Sequence, residues 1–575
     1  MTPRNFFPSP PHLAPWRKNL FFAALAAMFL ILTAGAPLRI QHFSAAAEKE
    51  AALRHGYRRQ LFAHRGEIVD AAGAPLALSA DVYEIRADMQ MLAPDAQKRA
   101  RLHTLIPQLA AVLGVSPDAL RDKLSGGGRA VLLAKKLPPA AAFRLREFRE
   151  KHGLRGLRLD YKSERYYPQR EYAASVVGYT DYLDVGRAGV EFVHHSRLRQ
   201  EDGEKRGVRG RAGGRIDGTL SRPPRDGGAI TLSIDSRLQF YAYDALQKAA
   251  ARHDARAGAA AVMDARSGEI VALASYPGFN PNNIRAGVNE KNHALSDAVE
   301  PGSLAKPFIV ALALKNGVVD ADEMFPADAP RRVGGVLLDD KHIREPVSLA
   351  GVLQKSSNIG AAMLAMRIGA RPIWELYRRL GFGRKTLRMP GEASGKLRDY
   401  RNWRTSELVT HSYGYGFSTT LLQMLAGYSV FATDGLRVSP RLEKSALPPF
   451  RERVLDAAIA RRVRQMLEGA TGADGTAAAA AIDGYRVAGK TGTALKFAPG
   501  GGYGSDYRAF FVGIAPASRP RYIAAVMIDE PKKNGVGGGA AAAPVFREIM
   551  RRALRLNAVA PDLPPNVPAD ARADV

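Results

Sequence analysis

A serine and a lysine three residues apart, Ser303 and Lys306, have the side chains of a nucleophile and its base. Pro307 fits only the first turn of a helix, so the sequence predicts a helix that begins close to Ser303. Residues three apart on a helix are neighbours, which brings the lysine beside the serine hydroxyl. The apolar run at residues 308–314 predicts a buried helix. Burial and the helix dipole would lower the pKa of Lys306, and a neutral lysine could take the serine proton.

An ordinary helix cap followed by a solvated lysine is the alternative interpretation of this pair. A second pair, Ser356 and Asn358, lies between two helical segments, where a loop could turn both side chains to one side. There a hydroxyl could relay a proton and an amide could hold a substrate peptide bond. Standing alone, this pair is equally typical of helix caps.

A third group, Lys490, Thr491, Gly492 and Thr493, follows an alternating stretch at residues 485–488 that predicts an edge strand. Gly492 removes a side chain where a peptide backbone could lie along that edge. The lysine and the two threonines offer hydrogen-bond donors to a carboxylate. The group therefore predicts a peptide-binding strand.

The same region also matches a phosphate-binding loop. Residues 484–491 fit the spacing G-x-x-x-x-G-K-S/T, and residues 525–530 resemble an acidic strand that would hold magnesium. A nucleotide-hydrolysing enzyme is thus the alternative function. A phosphate loop must open directly into a helix, however, whereas Gly492 and then Pro499 follow here.

The composition excludes several other chemistries. None of the 575 residues is a cysteine, which excludes disulfides, thiolate metal sites, thiol catalysis and a lipidated cysteine. His194 and His195 have no third ligand at convincing spacing, and we expect neither a metal nor another cofactor. The formal net charge of +27 suits a membrane face or a cell wall.

Residues 19–38 carry no charge and are long enough to cross a bilayer of about 30 Å. Three basic residues precede this span within residues 1–18, whereas Arg39 alone follows closely. The positive-inside rule then predicts a cytoplasmic N-terminus and a single-pass anchor, with the remaining chain outside, away from ATP and nucleic acid. A cleaved signal peptide is the alternative, because residues 34–36 resemble a cleavage site.

Composition divides the chain beyond the anchor into three parts. Residues 39–228 predict a pedestal domain, with a stalk at 43–60 and a junction rich in glycine and arginine at 203–228. Residues 229–556 predict the main domain. Residues 557–575 predict a disordered tail.

Hydrophobic periodicity predicts the elements of these domains. Predicted helices cover residues 97–113, with a break or kink at Pro107, 139–152, 238–253 and 545–556. Predicted strands cover residues 229–235, 259–263, 269–276, 508–514 and 522–528. Because strands, helices and strands follow one another without β-α-β alternation, the predicted fold class is α+β with an antiparallel sheet.

Three motifs, in this order, resemble those of β-lactamases and penicillin-binding proteins: Ser303-x-x-Lys306, Ser356-x-Asn358 and Lys490-Thr491-Gly492. From about residue 65 to residue 556 the chain is similar to the class B penicillin-binding proteins, which share the layout of anchor, pedestal and transpeptidase domain. Further segments that carry the resemblance are 65–77, 165–180, 186–191, 300–302, 414–416 and 541–546. The resemblance implies a transpeptidase domain whose antiparallel sheet is flanked by helices.

The resemblance also implies a D,D-transpeptidase that cross-links peptidoglycan and is trapped by β-lactams. Ser303 would attack the carbonyl between the two terminal D-alanines of a stem peptide, and Lys306 would take its proton. Ser356 would pass a proton to the departing D-alanine, and Asn358 would hold the donor amide. The substrate-binding strand would consist of Lys490, Thr491, Gly492 and Thr493.

Within class B, the absence of cysteine and of C-terminal repeats resembles the division-specific, Gram-negative type. This type implies a place in the inner membrane and partners that include a membrane glycosyltransferase and other division proteins. Leu304 and Ala305 depart from the residues more usual between the serine and the lysine, which leaves the β-lactam affinity open. An inactive scaffold that keeps the fold is a further alternative.

Overall fold

The computed structural model describes residues 15–34, 56–126, 129–208, 219–284, 287, 289–320, 322–498 and 500–564. Contacts divide the chain into two compact units. The first unit combines residues 1–63 with 200–225, and the second combines residues 64–199 with 226–575.

The strands of the described residues are, in chain order, β1 Gly56–Leu61, β2 Ile68–Val69, β3 Pro75–Asp88, β4 Ala130–Leu137, β5 Leu157–Tyr166, β6 Gly203–Val208, β7 Thr219–Arg222, β8 Ile230–Thr231, β9 Ala257–Asp264, β10 Ile270–Tyr276, β11 Met324–Phe325, β12 Arg331–Val333, β13 Val336–Leu338, β14 Val347–Ser348, β15 Leu436–Val438, β16 Arg451–Arg453, β17 Ala488–Phe497, β18 Tyr503–Ala515 and β19 Tyr522–Asp529.

The helices are α1 Pro15–Ala34, α2 Met89–Leu92, α3 Ala96–Leu113, α4 Pro117–Ser125, α5 Pro139–His152, α6 Ala174–Val177, α7 Gly189–Val193, α8 His195–Leu198, α9 Ser236–His253, α10 His293–Ser296, α11 Lys306–Lys315, α12 Leu349–Gln354, α13 Asn358–Ile368, α14 Ala370–Arg379, α15 Thr405–Ser412, α16 Leu421–Ala432, α17 Ala457–Gly469, α18 Gly538–Ala541 and α19 Ala543–Leu556.

The second unit is built on a five-stranded antiparallel sheet in the order β10-β9-β19-β18-β17. Successive residues of a strand face opposite sides, and β9 is buried on both. Ala259 and Ala261 belong to the core that holds α11 and α16, whereas Ala260 and Val262 belong to the core that holds α9 and α19. The expected α+β fold with helices flanking an antiparallel sheet is confirmed.

Most of the long predicted elements form within a few residues of their expected limits. They are the helices α5, α9 and α19, the hairpin of β9 and β10, and the strands β18 and β19. The helix α3 continues through Pro107, so the predicted break is absent. One face of α3 is held by buried side chains on both sides of the proline, including Leu102, Ile106 and Leu109, which offsets the lost backbone hydrogen bond.

Residues 229–235 do not form a strand of the central sheet. Only β8 is part of a ladder, and it pairs in parallel with β2 in the sheet of β4, β3, β2 and β8, in which β5 also pairs with β3. Beyond β8, the Ser233 N–H donates to the Leu442 carbonyl and the Asp235 N–H donates to the Val271 carbonyl. The alternating pattern predicted extended backbone but could not identify its partners.

Two segments expected to be irregular contain strands. β6 and β7 lie within the supposed junction at 203–228, and β1 overlaps the supposed stalk at 43–60. In the first unit these strands form an antiparallel sheet in the order β1-β6-β7. Its residues are mostly polar, so the sheet is held by ladder hydrogen bonds. Because the strands have no alternating apolar pattern, the sequence did not predict them. Residues 43–55 and 209–218 lie outside the described residues.

The beginning of the supposedly disordered tail is packed on the second unit. The Asp562 carboxylate accepts hydrogen bonds from the Arg486 N–H at 2.7 Å and from the Ser518 hydroxyl at 2.6 Å. The Val559 carbonyl accepts from the Tyr485 hydroxyl at 2.6 Å. Expected disorder is therefore wrong for residues 557–564, and residues 565–575 lie outside the described residues.

The helix α1 is long and apolar enough to cross a membrane, and it overlaps the predicted span at 19–38. Residues 35–38 lie outside the described residues. Helix length and composition thus agree with a single-pass anchor.

A buried ion cluster joins three segments that the sequence described only as turns or a hairpin. The Glu191 carboxylate accepts from Arg65 Nε and from Arg165 Nε, both at 2.7 Å. The exposed fractions of these side chains are 2% or less. A buried carboxylate shared by two guanidinium groups fixes the positions of all three segments.

We expect Glu191→Ala to destabilise the second unit, because two buried arginines lose their counter-charge. Breaking a buried pair from one side typically costs about 3–5 kcal/mol. Thermal unfolding of the full chain in detergent should show a melting temperature lower by several degrees. The matched control is Glu147→Ala on the exposed face of α5, which should melt like the wild type. Equal melting of the two variants would contradict the structural role of the cluster.

Candidate active site

Ser303 lies in a 3-10 turn, Gly302–Ala305, that leads directly into α11. Lys306 is the first residue of this helix, and Pro307 sits in its first turn as predicted. The predicted burial of the helix is confirmed, because residues 306–313 are all buried. The apolar helix therefore carries the lysine into the core.

Aromatic packing and one buried hydroxyl hold this turn. The Phe308 ring lies edge-to-face against Phe382 and Tyr428, with centroids 5.9 and 5.3 Å away. The Tyr428 hydroxyl donates to the Leu304 carbonyl at 2.9 Å. These contacts fix the backbone next to Ser303.

The hydroxyl of Ser356 connects the three sequence motifs. Ser356 Oγ donates to Ser303 Oγ at 3.0 Å. It accepts from Lys306 Nζ at 3.1 Å and from Lys490 Nζ at 3.0 Å. Lys306 also donates to the Ser356 carbonyl at 2.5 Å. The structure therefore links serine and lysine through Ser356, where the sequence predicted direct contact.

Both lysines are fully buried, and both have lowered pKa values. Burial lowers the pKa of Lys306 to about 7, against the opposing effect of the Asp340 charge. Burial, and then the charge of Lys306, lower the pKa of Lys490 well below its usual value. Two ammonium groups at one hydroxyl repel each other, so a neutral lysine is present near pH 7.

Lys490, Thr491, Gly492 and Thr493 lie on β17, which is the predicted edge strand. The Thr491 hydroxyl shares a hydrogen bond of 2.9 Å with the Thr476 hydroxyl. The Thr493 hydroxyl accepts from the Gly538 N–H at 3.1 Å. These contacts hold the strand against the loop at Thr476 and the start of α18.

Gly492 has a packing role that the sequence did not reveal. A Cβ atom there would lie 2.9 Å from the Pro301 carbonyl oxygen and 3.0 Å from the Leu304 side chain. Glycine at this position is therefore needed for the protein's own serine turn to approach β17.

Sequence reasoning missed a buried carboxylate, Asp340, that organises the Ser356 loop. Asp340 Oδ2 accepts from the Ser357 hydroxyl at 2.6 Å and from the Ile359 N–H at 3.1 Å. Asp340 Oδ1 accepts from the Asn358 N–H at 3.0 Å. These N–H groups open α13 and have no partners within the helix, and the helix dipole favours a negative charge there.

Ser356 itself has a φ of 62°, a left-handed conformation that a non-glycine residue adopts at a cost of roughly 1–3 kcal/mol. The hydrogen bonds to Asp340 hold the loop in that conformation. Asp340 precedes Asn358 by 18 residues and belongs to no motif, so no local pattern could have identified it.

Two further segments of the resemblance meet at the serine turn. The Gly302 N–H donates to the Gly414 carbonyl at 3.1 Å. The Glu300 carboxylate accepts from the Gly416 N–H at 2.7 Å and from the Tyr503 hydroxyl at 2.9 Å. Residues that are as many as 203 positions apart in the sequence thus lie together beside the serine turn.

The alternative of a phosphate loop is wrong. Lys490 and Thr491 lie inside the ten-residue strand β17, and no helix follows them before Pro499 in the described chain. The resemblance of residues 525–530 to a magnesium-binding strand also fails, because Asp529 is buried among Arg256, Lys496 and Arg508. Its carboxylate is already neutralised by protein cations.

The arrangement can activate a hydroxyl for attack on a carbonyl. A serine at a helix start contacts a second hydroxyl, which two buried lysines contact in turn, beside an open sheet edge that could bind a peptide. An α+β fold with this site is compatible with the class of serine acyl-transfer enzymes, in which a lysine could act as the base.

Family models match most of the described chain. The penicillin-binding protein transpeptidase domain matches residues 258–551, and the penicillin-binding protein dimerisation domain matches residues 60–232. Among curated proteins, the probable peptidoglycan D,D-transpeptidase PenA of Neisseria gonorrhoeae is 36% identical over 98% of this chain and 97% of its own length. The peptidoglycan D,D-transpeptidase FtsI of Escherichia coli K12 is 35% identical over 89% of this chain and 87% of its own.

Solved structures give the same result. Penicillin-binding protein 3 of Mycobacterium tuberculosis, in complex with aztreonam, has a TM-score of 0.67 and 28% identity, covering 88% of this chain and 99% of that one. The transpeptidase domain of Burkholderia pseudomallei penicillin-binding protein 3 has a TM-score of 0.54 and 40% identity, covering 58% of this chain and 98% of that one. The chain belongs to the class B penicillin-binding proteins and is most similar to their division-specific type.

We expect Asp340→Asn to bind a fluorescent penicillin more slowly, by about tenfold on the alkaline plateau, which corresponds to about 1.4 kcal/mol. In the wild type the rate should rise through about pH 7, because Lys306 is protonated below its lowered pKa and neutral above it. Loss of the Asp340 charge removes an effect that raises this pKa, so the midpoint should move to lower pH. The measurement is the labelling rate against pH.

The matched control for this experiment is the neighbouring exposed carboxylate, in Asp339→Asn, which should keep both the rate and the midpoint. A purely structural effect of Asp340 would reduce the labelled fraction without moving the midpoint. An unchanged midpoint in Asp340→Asn would contradict the electrostatic link to Lys306.

Proposed function

We propose that this chain is a peptidoglycan D,D-transpeptidase that works through an acyl-enzyme on Ser303 and acts in septal wall synthesis. The observation that carries the proposal is the half-buried Ser356 hydroxyl, which contacts Ser303 and the two buried lysines, Lys306 and Lys490. The D,D-transpeptidase names of the relatives and the β-lactam complex of a structural neighbour support it.

In the first half-reaction, Ser303 Oγ would bond to the carbonyl carbon between the two terminal D-alanines of a donor stem peptide. The serine proton would pass through the Ser356 hydroxyl to neutral Lys306. The carbon–nitrogen bond then breaks, and the departing D-alanine nitrogen takes a proton by way of Ser356. The donor remains attached to Ser303 as an ester.

In the second half-reaction, the amine of a neighbouring stem peptide attacks this ester, and the serine hydroxyl is restored. We assign the oxyanion hole to the backbone N–H groups of Ser303 and Thr493. One such donor is typically worth about 10²- to 10³-fold in rate. A β-lactam would follow the first half-reaction and leave Ser303 acylated.

The donor peptide would lie along β17. Asn358 would hold its amide, and Lys490, Thr491 and Thr493 would bind its terminal carboxylate, with Gly492 keeping the strand close to the serine turn. The edge position of β17 supports this assignment, because an edge strand has free backbone groups for an added peptide strand.

We further propose that residues 39–228 form the pedestal and residues 229–556 the transpeptidase domain, in support of which the two family models match residues 60–232 and 258–551. Residues 19–38 would anchor the chain in the inner membrane, with residues 1–18 in the cytoplasm. A membrane glycosyltransferase that supplies glycan strands, and other division proteins, would be the partners.

Ser303→Ala should abolish covalent labelling by a fluorescent penicillin, because the ester forms on its hydroxyl. The matched control, Ser125→Ala on the exposed end of α4, should label at the wild-type rate. Both variants should melt like the wild type. Retained labelling in Ser303→Ala would falsify the assignment, and a wild-type chain that never labels would favour the inactive scaffold.

The absence of native cysteines gives a direct test of orientation. In intact spheroplasts, a membrane-impermeant maleimide should label Ser125→Cys, and it should label Thr2→Cys only after lysis. The reverse pattern would contradict an outside location for the large domains. A mature chain that begins near Gln41 would show that the apolar segment is a cleaved signal.

A further inference from the structure

A cavity of about 450 Å³ lies in the second unit and includes none of the residues of the candidate active site. Its walls come from the end of α14, the loop that follows it, α16 and β15. A volume of this size falls within the roughly 300–1,000 Å³ typical of small-molecule sites.

The lining of this cavity is strongly basic. Its basic side chains are Arg378, Arg379, Arg384, Lys385, Arg388 and Arg437, and its acidic side chain is Glu452. The single carboxylate serves two arginines, since it accepts from Arg379 Nε at 3.0 Å and lies 3.6 Å from Arg437 Nη2. Most of the positive charge is therefore not neutralised within the cavity.

Three of the cations have no acidic partner in the part of the chain that the structure describes. No carboxylate oxygen of a described residue lies within 4.0 Å of a side-chain nitrogen of Arg384, Lys385 or Arg388. All three residues line the cavity and are exposed to solvent. They can therefore contact a ligand without first breaking an ion pair.

Arg437 is oriented as part of a built site. Its side chain is 18% exposed, and its Nε atom is buried without a hydrogen-bond partner among the described residues. The guanidinium lies over Gly381, where an added Cβ would come within 3.3 Å of Nη1. A buried polar atom without a partner is costly, and a negative charge near this guanidinium would lower that cost.

The loop that carries the three free cations is held rigidly. The Glu392 carboxylate accepts from the N–H groups of Thr386 at 2.5 Å and of Met389 at 3.1 Å. The Gln423 amide donates to the carbonyls of Arg384 at 2.6 Å and Ser394 at 2.7 Å. Binding an anion would therefore not require this loop to be ordered first.

An ordinary solvated basic surface is the simpler explanation in a chain of net charge +27. It accounts for exposed arginines at the end of α14, where cations are favourable. It does not account for the cations that three separate elements contribute to one cavity. A bound anion would give these cations a partner.

We propose that this cavity binds a phosphorylated ligand with at least two phosphate charges, of which a diphosphate is the simplest form. Arginine forks match phosphate oxygens in bidentate hydrogen bonds, and a tetrahedral group can meet cations from several sides. The end of α14, the loop that follows it and β15 each contribute cations to the cavity, whereas a single planar carboxylate would leave most of them without a partner.

The test uses the full chain in a nonionic detergent with sodium pyrophosphate as the probe, measured by titration calorimetry. The variant Arg384→Ser/Lys385→Ser/Arg388→Ser should bind pyrophosphate about tenfold or more weakly, because three of the charge-assisted contacts are lost. Sodium sulfate at equal ionic strength should not compete. Unchanged melting without the probe would show that the variant is folded.

A matched control removes the same charges elsewhere, in Arg144→Ser/Lys151→Ser/Arg155→Ser, all exposed in the pedestal part of the second unit. Its pyrophosphate affinity should equal that of the wild type. An equal loss in both triple variants, or no pyrophosphate binding by the wild type, would overturn the proposal. A polyglutamate peptide that binds more tightly than pyrophosphate, and is lost in the same variant, would also overturn it in favour of an acidic protein segment.

The source of the phosphate can be distinguished in the same system. In nanodiscs of phosphatidylcholine with phosphatidic acid, a lipid occupant would weaken the apparent affinity for pyrophosphate relative to nanodiscs of phosphatidylcholine alone. Equal affinities would indicate a soluble phosphorylated ligand. Either result supports the site, and neither depends on penicillin labelling of Ser303, so failure here and failure of the proposed enzyme activity remain separate.

Discussion

The contact of two buried lysines with one serine hydroxyl is the constraint on which the rest of this structure depends. Burying two cations is costly. Burial therefore lowers the pKa values of both lysines, and hydrogen bonds hold their amino groups in place. Ser356 holds both amino groups close to Ser303, where a neutral lysine could act as a base. The buried helix α11, the aromatic packing of Phe308 and the turn at Ser303 all serve to keep this contact in place.

The contact also explains why so many distant segments must meet. Ser356 follows Ser303 by 53 residues and precedes Lys490 by 134. The edge strand β17 approaches the serine turn closely only because position 492 has no side chain. Backbone approach, rather than a further hydrogen bond, thus sets the distance between β17 and the serine turn.

The charged side chains of the second unit have two different roles. Asp340 and Glu191 are buried carboxylates that neutralise or orient specific partners, and each fixes a segment that has no apolar pattern of its own. The basic cavity between α14 and β15 is different, because its cations outnumber its carboxylate and its loop is already ordered. The charged residues of this chain, whose net charge is +27, therefore include both structural ion pairs and a group of cations suited to binding an anion.

The sequence by itself determined the helix start at Ser303, the edge strand at Lys490, the antiparallel α+β architecture and the apolar N-terminal span. Each of these depends on local periodicity or on one residue with a strict backbone preference, such as Pro307. Only the tertiary structure decided that Ser356 stands between the serine and the lysine, that Asp340 holds its loop, and that residues 230–231 pair with β2. These contacts join residues far apart in the chain, and local pattern contains no information about which distant group will satisfy a buried donor or complete a ladder.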